Sequence, residues 1–415
     1  TGGVINWPLA YQKTETLLRK VGLTEAPTTR VESLGVGKQQ LVEIAKALSK
    51  KVDLLILDEP TSSLNENDSA ALLRLLASFR EQGMTAIMIS HKLNEISQLC
   101  DSITVIRDGA TVAHHQGMVP ESQIIKDMVG RSMNDRYPPR EPKIGDVVMQ
   151  VRDWTVADPT RDGRLMVDSA SFDLRQGEVL GIAGLMGAGR TELTMSIFGR
   201  SMGEFRKGSV RIHGKEVDVS TVPKAIKAGL AYVTEDRKSL GLVLIDTIKR
   251  NIPLANLPGI APKGVIDREK EGKVARDYRK QINIRSSSVD QATVNLSGGN
   301  QQKVVLAKWL FSGPEILILD EPTRGIDVGA KYEIYTIIRD LAAAGKSIIV
   351  VSSEMPELLG ITDRILVMNE GRLVGDLPTA EATQEKIMSI IIHSGHDLTD
   401  ESVTPEQIEA EAAHV

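Results

Sequence analysis

Val179-Leu180-Gly181-Ile182-Ala183 is an aliphatic run of strand length. Gly184-Leu185-Met186-Gly187-Ala188-Gly189-Arg190-Thr191 follows it, ahead of a helical pattern that begins at Glu192. Glycines at this spacing let successive backbone N–H groups converge on a phosphate, and the N-terminus of the following helix adds roughly 0.3–1 kcal/mol per favourable charge contact. Thr191 offers a hydroxyl of the kind that contacts Mg²⁺. Arg190 stands where such loops usually carry Lys, so the positive charge stays while a planar fork replaces a compact ammonium. Taken alone, the segment fits equally a Gly-rich turn between a strand and a helix.

Two more patterns occur twice each. Asp58-Glu59-Pro60-Thr61 and Asp320-Glu321-Pro322-Thr323 close the aliphatic runs Leu54–Leu57 and Ile316–Leu319. The first acid of such a pair can hold Mg²⁺ through water, and the second can orient or deprotonate an attacking water. An isolated Asp-Glu-Pro also reads as an acid pair capping a strand before proline. Leu296-Ser297-Gly298-Gly299-Asn300-Gln301-Gln302 opens a helical pattern over Lys303–Leu310. Ser297 is a candidate N-cap there, and the glycines leave the helix start open to an anion. By itself that segment is also a plain capped helix. Its counterpart is Leu34-Gly35-Val36-Gly37-Lys38-Gln39-Gln40.

The pairs share one offset of 262 residues: 296 against 34, 320 against 58, and Ser352-Ser353 against Ser90-His91. A single register without insertions marks a duplicated domain. About 150 residues separate the start of the second copy, near Asp146, from Leu296, whereas 33 precede Leu34. The first copy is therefore expected to lack its phosphate loop, as in a chain truncated at its N-terminus. The expected domains are 1–131 for the incomplete copy, 132–147 for a linker, 148–395 for the complete copy, and 396–415 for a solvated acidic tail. Tyr137-Pro138-Pro139-Arg140-Glu141-Pro142 gives the linker its rigid, polar character.

Strand-length runs at Thr85–Ile89 and Ser347–Val351 each follow a helical pattern, Ala70–Gln82 and Lys331–Ala344, closed by Gly83 and Gly345. Strands alternating with helices predict an α/β fold with a parallel sheet in each copy. A helical insertion is expected near Ile245–Leu296.

Composition narrows the function classes. The 415 residues are 41% apolar and 25% charged, which is ordinary globular usage, and the 3% of aromatics demands an aliphatic core. No apolar run reaches the length of a membrane span. A net charge of −5 argues against a nucleic-acid surface as the main business. One cysteine, Cys100, excludes an internal disulfide framework.

With the phosphate loop, the Leu-Ser-Gly-Gly helix start and the strand-final Asp-Glu-Pro-Thr in this order, the chain resembles the twin ATP-binding subunit of an ABC transporter. Glu235-Asp236-Arg237-Lys238-Ser239-Leu240-Gly241-Leu242 resembles the second domain of bacterial sugar importers, and Gly35–Lys46 the multiple-monosaccharide branch. The resemblance implies two tandem P-loop ABC-type nucleotide-binding domains, the first incomplete, each with a parallel-sheet core and a helical subdomain. It implies ATP and Mg²⁺ as cofactors, with transmembrane permease subunits as partners and a periplasmic or extracellular sugar-binding protein as an indirect one. Nucleic acid is not an expected partner. The implied location is peripheral, on the cytoplasmic face of the cell membrane.

The family's roles then fall on particular residues. Domains of this kind meet head to tail, with ATP between one phosphate loop and the other domain's signature. Gly184, Gly187, Ala188, Gly189, Arg190 and Thr191 would bind nucleotide. Thr191, Asp320 and Asp58 would serve Mg²⁺, the two aspartates through water. Glu59 and Glu321 would be the water-activating carboxylates, and His91 the switch histidine. The signatures would be Ser297, Gly298, Gly299 and Gln301 in one copy and Gly35, Gly37 and Gln39 in the other. Four departures mark the second site: Arg190 for Lys, Glu235 for a Mg²⁺-contacting Gln, Ser353 for the switch His, and Gly35 for the signature Ser. That site is expected to bind ATP with slow or no hydrolysis. The competing functions are a soluble twin ATPase acting on ribosomes or nucleic acid and a nucleotide-binding fragment without turnover. Trp154 is a candidate for stacking on adenine, although a packed aromatic fits it better.

Overall fold

The computed structural model describes residues 5–50, 52–61, 64, 66–90, 92–107, 109–129, 137–161, 163–185 and 187–394. His91, Asn65, Met186 and the expected tail at 396–415 lie outside the described residues. The chain divides into two compact units, Thr1–Asn134 and Asp135–Val415.

The first unit runs α1 (Trp7–Lys20), α2 (Val36–Leu48), β1 (Leu54–Asp58), α3 (Glu66–Glu81), β2 (Thr85–Ile89), α4 (Leu93–Leu99), β3 (Ser102–Arg107), β4 (Ala110–Gln116) and α5 (Glu121–Val129). β1 and β2 pair in parallel, and β3 and β4 form a separate antiparallel pair. Leu18, Leu55, Leu57, Leu72, Leu76 and Phe79 pack together between α1, α3 and β1.

The second unit opens with β5 (Val147–Ala157), β6 (Leu165–Arg175), β7 (Val179–Gly184), α6 (Arg190–Ile197), β8 (Glu204–Ile212), β9 (Lys215–Glu216), α7 (Val222–Lys227) and β10 (Leu230–Val233). It continues with α8 (Ile248–Asn251), α9 (Arg268–Gln281), α10 (Gly298–Leu310), β11 (Ile316–Asp320), α11 (Val328–Ala343), β12 (Ser347–Val351), α12 (Met355–Ile361), β13 (Arg364–Asn369), β14 (Arg372–Pro378) and α13 (Gln384–His393). Its six-stranded sheet has the order β10-β11-β12-β7-β13-β14, parallel except for the β13–β14 edge. β7, β11 and β12 are buried at every position, which is why they read as continuous aliphatic runs. The expected helical insertion is present as α8, a 3₁₀ stretch over Ile252–Ile260, and α9.

The second unit also holds a four-stranded antiparallel sheet, β6-β5-β8-β9, that the sequence reading did not contain. Its period is broken. β5 slips register with both neighbours around Asp153, which sits at φ 49, and buried residues run together from Trp154 to Ala157. The expected parallel sheet is present in the second unit and, among the described residues, as the β1–β2 pair in the first; the antiparallel sheet is an addition to it.

Every element of the first unit from α2 to β4 recurs in the second at the same 262-residue offset, α2 at α10, β1 at β11, β2 at β12 and β3 at β13. In the second unit β7 lies between β12 and β13. In the first unit β2 and β3 instead line a cavity of about 710 Å³, and Ile87, Ile89 and Ile106 are exposed.

The expected linker is only partly one. Tyr137 packs tilted against Tyr335 with ring centroids 5.4 Å apart and covers Gly360, where a methyl group would stand 2.4 Å from the ring. Arg140 donates to Asp363 Oδ2 and to the Gly177 carbonyl, both at 2.6 Å. Asp363 Oδ2 also accepts from the Val179 amide at 2.8 Å, at the start of β7. Apolar and charged contacts therefore fasten residues 137–142 to the second unit.

Removing Arg140 strands a buried carboxylate at the head of β7. Arg140→Ala is expected to destabilise the second unit by about 3 kcal/mol, read from urea unfolding followed by tryptophan fluorescence.

Candidate functional site

Parallel strands bring their carboxyl ends to one edge of the sheet, so β7, β11 and β12 deliver Gly184, Asp320 and Val351 side by side. From Gly184 the chain turns into α6 through Gly187 at φ 81 and Gly189 at φ 98, conformations that favour glycine. Space is also short. A methyl group on Gly184 would lie 2.5 Å from the Met368 carbonyl oxygen, and one on Gly189 2.6 Å from that of Met166. Ala188 is buried, and its carbonyl accepts from the Gly371 amide at 2.9 Å.

Arg190, the first residue of α6, is buried. Its Nη1 donates to the Ser352 carbonyl at 2.6 Å, and its Nη2 lies 4.0 Å from Glu321 Oε1. Thr191 Oγ1 donates to Asp320 Oδ1 at 3.3 Å, while the Tyr232 hydroxyl donates to Asp320 Oδ2 at 2.6 Å. Burial pushes the Asp320 carboxyl up, against these hydrogen bonds. The hydroxyl of Thr191 and the carboxylate of Asp320 are hard oxygen donors. They fit Mg²⁺, which takes one or two protein oxygens and fills its remaining positions with phosphate and water.

Glu321 follows in the left-handed region at φ 46, its amide bonded to the Val351 carbonyl at 2.9 Å. Its Oε2 accepts from Ser353 Oγ at 3.1 Å. Burial pushes its carboxyl up to about 7, although Ser353 and Arg190 pull the other way. Ser353 thus touches the acid that follows Asp320. Glu235 is ion-paired with Arg324 at the margin of the site.

The first unit repeats the strand end. Glu59 sits at φ 44 directly after Asp58, and its amide bonds the Ile89 carbonyl at 2.8 Å. Two carboxylates of the same type thus adopt the same uncommon backbone at equivalent places. His91 lies outside the described residues.

The two signature segments differ in packing. Gly298 and Gly299 begin α10, where methyl groups would stand 2.9 Å from Arg237 and 2.4 Å from Ala330. Ser297 is the N-cap by backbone, but its hydroxyl accepts from Asn300 Nδ2 at 2.9 Å in place of a backbone amide. Gln301 is buried and donates to the Thr293 carbonyl at 3.1 Å. At the start of α2, Gly35 faces open space and Gln39 donates to the Leu34 carbonyl at 2.8 Å. Gly37 lies in the first turn of α2.

Trp154 is 1% exposed and donates from Nε1 to Ser196 Oγ at 2.9 Å, so it belongs to the core and not to an adenine face. Tyr232, Thr323 and Glu357 were not singled out by the sequence reading. Tyr232 carried the signal of a lone aromatic in an otherwise aliphatic run, and Glu357 that of an acid recurring at the common offset as Glu95.

The raised Glu321 sets a pH dependence. Its folded pKa, about 7, lies above the ordinary 4.5, so the folded protein keeps a proton that the unfolded chain has released. Stability from this group is full below about pH 4.5 and is lost as pH rises through 7. Glu321→Gln is expected to be more stable than the parent by about 2 kcal/mol at pH 8 and equal to it near pH 4, as measured by urea unfolding at both pH values.

A family model described as ABC transporter matches residues 9–62 and 167–324. The L-arabinose transport ATP-binding protein of Geobacillus stearothermophilus is 56% identical over 394 residues, which are 94% of this chain and 76% of that protein. The xylose import ATP-binding protein of Thermoanaerobacter pseudethanolicus is 48% identical over 388 residues, 93% of this chain and 77% of that one. A solved ATP-binding cassette of an ABC transporter superposes with a TM-score of 0.51 at 19% identity, covering 59% of this chain and 98% of its own, which speaks to the fold. A match that reaches into both units, and a relative sharing more than half the aligned residues over nearly the whole chain, lead to one assignment: the chain belongs to the ABC transporter family, on its ATP-binding side.

Proposed function

We propose that this chain is the ATP-binding and ATP-hydrolysing subunit that energises import of a monosaccharide through membrane permease subunits, with a sugar-binding protein delivering the substrate from outside. The observation that carries the reading is the edge where Gly184, Thr191, Asp320 and Glu321 converge, combined with relatives whose names specify arabinose and xylose transport. The residues divide the work. Amides of the loop from Gly187 to Thr191 hold the phosphates, and α6 directs its positive end at them. Thr191, and Asp320 through water, would hold Mg²⁺, which would supply positive charge against the phosphates. Glu321 in the second unit, and Glu59 in the first, orient the attacking water.

The domains follow from this reading. Residues 1–131 are part of one nucleotide-binding domain and 148–395 form a second. The protein is peripheral, on the cytoplasmic face of the membrane, and depends on its permease for attachment. Among the described residues no helix is long and apolar enough to cross a membrane, which is consistent with that dependence.

The two carboxylates are unequal. Glu321 has Ser353 beside it in place of an imidazole, Arg190 in place of Lys, and a raised proton affinity that leaves it partly neutral near pH 7. A half-protonated acid is a weaker acceptor for a water proton. Glu59 is followed by His91 at the switch position of its own copy. We therefore assign fast turnover to Glu59 and slow turnover to Glu321. The 415 residues contain one phosphate loop, so this stretch binds Mg·ATP and turns it over slowly.

Steady-state ATPase assays test the division. In a version extended to carry a phosphate loop in the first unit as well, Glu59→Gln is expected to remove at least about 90% of turnover and Glu321→Gln less than about half. Equal losses would overturn the asymmetry. Import itself is tested in proteoliposomes holding the permease and the binding protein. ATP-dependent uptake of labelled arabinose or xylose is the expected result, and stimulation by no monosaccharide would sink the transport reading.

A further inference from the structure

Building on that reading of the phosphate loop, we propose that Glu357 is a positioning residue for nucleotide binding: through Ser352 it holds the carbonyl that fixes the Arg190 guanidinium. Glu357 lies on α12 and is 1% exposed. One carboxylate oxygen accepts from Thr323 Oγ1 at 2.6 Å, and the other accepts from Ser352 Oγ. Thr323 and Ser352 are each 1% exposed. The carboxylate therefore ties together two chain segments, the one leaving β11 just after Asp320-Glu321 and the one leaving β12 just before Ser353.

The link continues to the phosphate loop. The Ser352 hydroxyl is held by Glu357 and by the Glu354 amide, which donates to it at 3.0 Å. Its carbonyl accepts from Arg190 Nη1 at 2.6 Å. A guanidinium is a rigid fork of five donors on a flexible stem, so a hydrogen bond at one nitrogen restricts where the others point. The Ser352 carbonyl supplies that restriction.

Burying a carboxylate is costly unless both oxygens are satisfied, and an apolar side chain of similar size would fill the space at lower cost. The threonine half of the arrangement nevertheless occurs twice. At the common offset, Glu95 is 3% exposed and accepts from Thr61 Oγ1 at 2.6 Å. Lys92 joins that copy, its Nζ 3.3 Å from Glu95 and 3.0 Å from the Thr61 carbonyl. A buried acid bonded to the same threonine in both copies, at a cost each time, has a positional purpose, and the second unit alone shows, among the described residues, the added bond from that acid to the serine after the strand.

The test is a double-mutant cycle on the 415-residue chain, read as the dissociation constant of a fluorescent Mg·ATP analogue. Glu357→Leu and Arg190→Ala are each expected to weaken binding about tenfold, and the pair together no more than about twofold beyond Arg190→Ala. Glu357→Gln keeps an acceptor for one hydroxyl and a donor for the other, so it is expected to stay within about threefold of the parent. Equal effects of Glu357→Leu with and without Arg190, or no effect at all, would overturn the proposal. If Glu357→Leu does not fold, Ser352→Ala replaces it in the cycle. A loss of about threefold that disappears in the Arg190→Ala background supports the proposal, and any other result refutes it. A parent chain that binds no Mg·ATP overturns the phosphate-loop reading itself and this proposal with it, an outcome distinct from a parent that binds and a cycle that is additive.

Discussion

A methyl group at Gly184 would stand 2.5 Å from one carbonyl oxygen, and at Gly189 2.6 Å from another. Those oxygens belong to Met368, at the end of β13, and to Met166, in the antiparallel sheet. The phosphate loop is thus wedged between two layers, and the wedge sets where its amides point. Side chains of any size would lift the loop away from the strand ends. The antiparallel sheet, the six-stranded sheet and the turn at Gly371, whose amide bonds Ala188, must all be in place before the loop has its shape. The binding edge is therefore shaped by the whole second unit and not by the loop alone.

Behind the wedge lies an unusual concentration of buried acid. Burial raises the proton affinity of Asp320, Glu321 and Glu357 alike, and Glu321 feels both of the others. Arg190 is the cation beside Asp320 and Glu321, and Lys331 acts on Glu357. Such a cluster is held in order by hydroxyls: Thr191 and Tyr232 on Asp320, Ser353 on Glu321, Thr323 and Ser352 on Glu357. Hydroxyls can donate or accept by rotation, so they follow changes of charge that a fixed amide could not accommodate. That tolerance suits a site whose charge changes greatly when a polyanion and a divalent cation enter together.

How much of this was legible in the sequence depended on period and repetition. β11 and β12 are buried on both faces, so an unbroken aliphatic run located them, and the 262-residue offset carried each element to its twin. The placement of Asp320 and Glu321 at a strand end and of Thr191 at a helix start was legible because each motif directly follows an aliphatic run. β5 was not legible, because the slip at Asp153 destroys alternation. The hold of Tyr137 on Gly360 was invisible for a different reason: a proline-rich segment looks like a linker until the surface opposite it is known to have a glycine-sized recess. Ser297 looked like an N-cap from its type and position, yet a neighbouring amide side chain competes for its hydroxyl.

The facing edges of β2 and β3 differ from their counterparts in the second unit. There the equivalent edges are both covered by β7, with its row of amides and carbonyls. In the first unit the same positions line an apolar cavity, with Ile87 and Ile89 half-exposed and Ile106 more so. One repeated aliphatic pattern thus meets two solvents: it is interior where β7 stands beside it, and partly wetted where, among the described residues, no strand does. Burial is in this sense a property of the neighbour and not of the strand, so equivalent side chains carry different shares of the packing in the two copies.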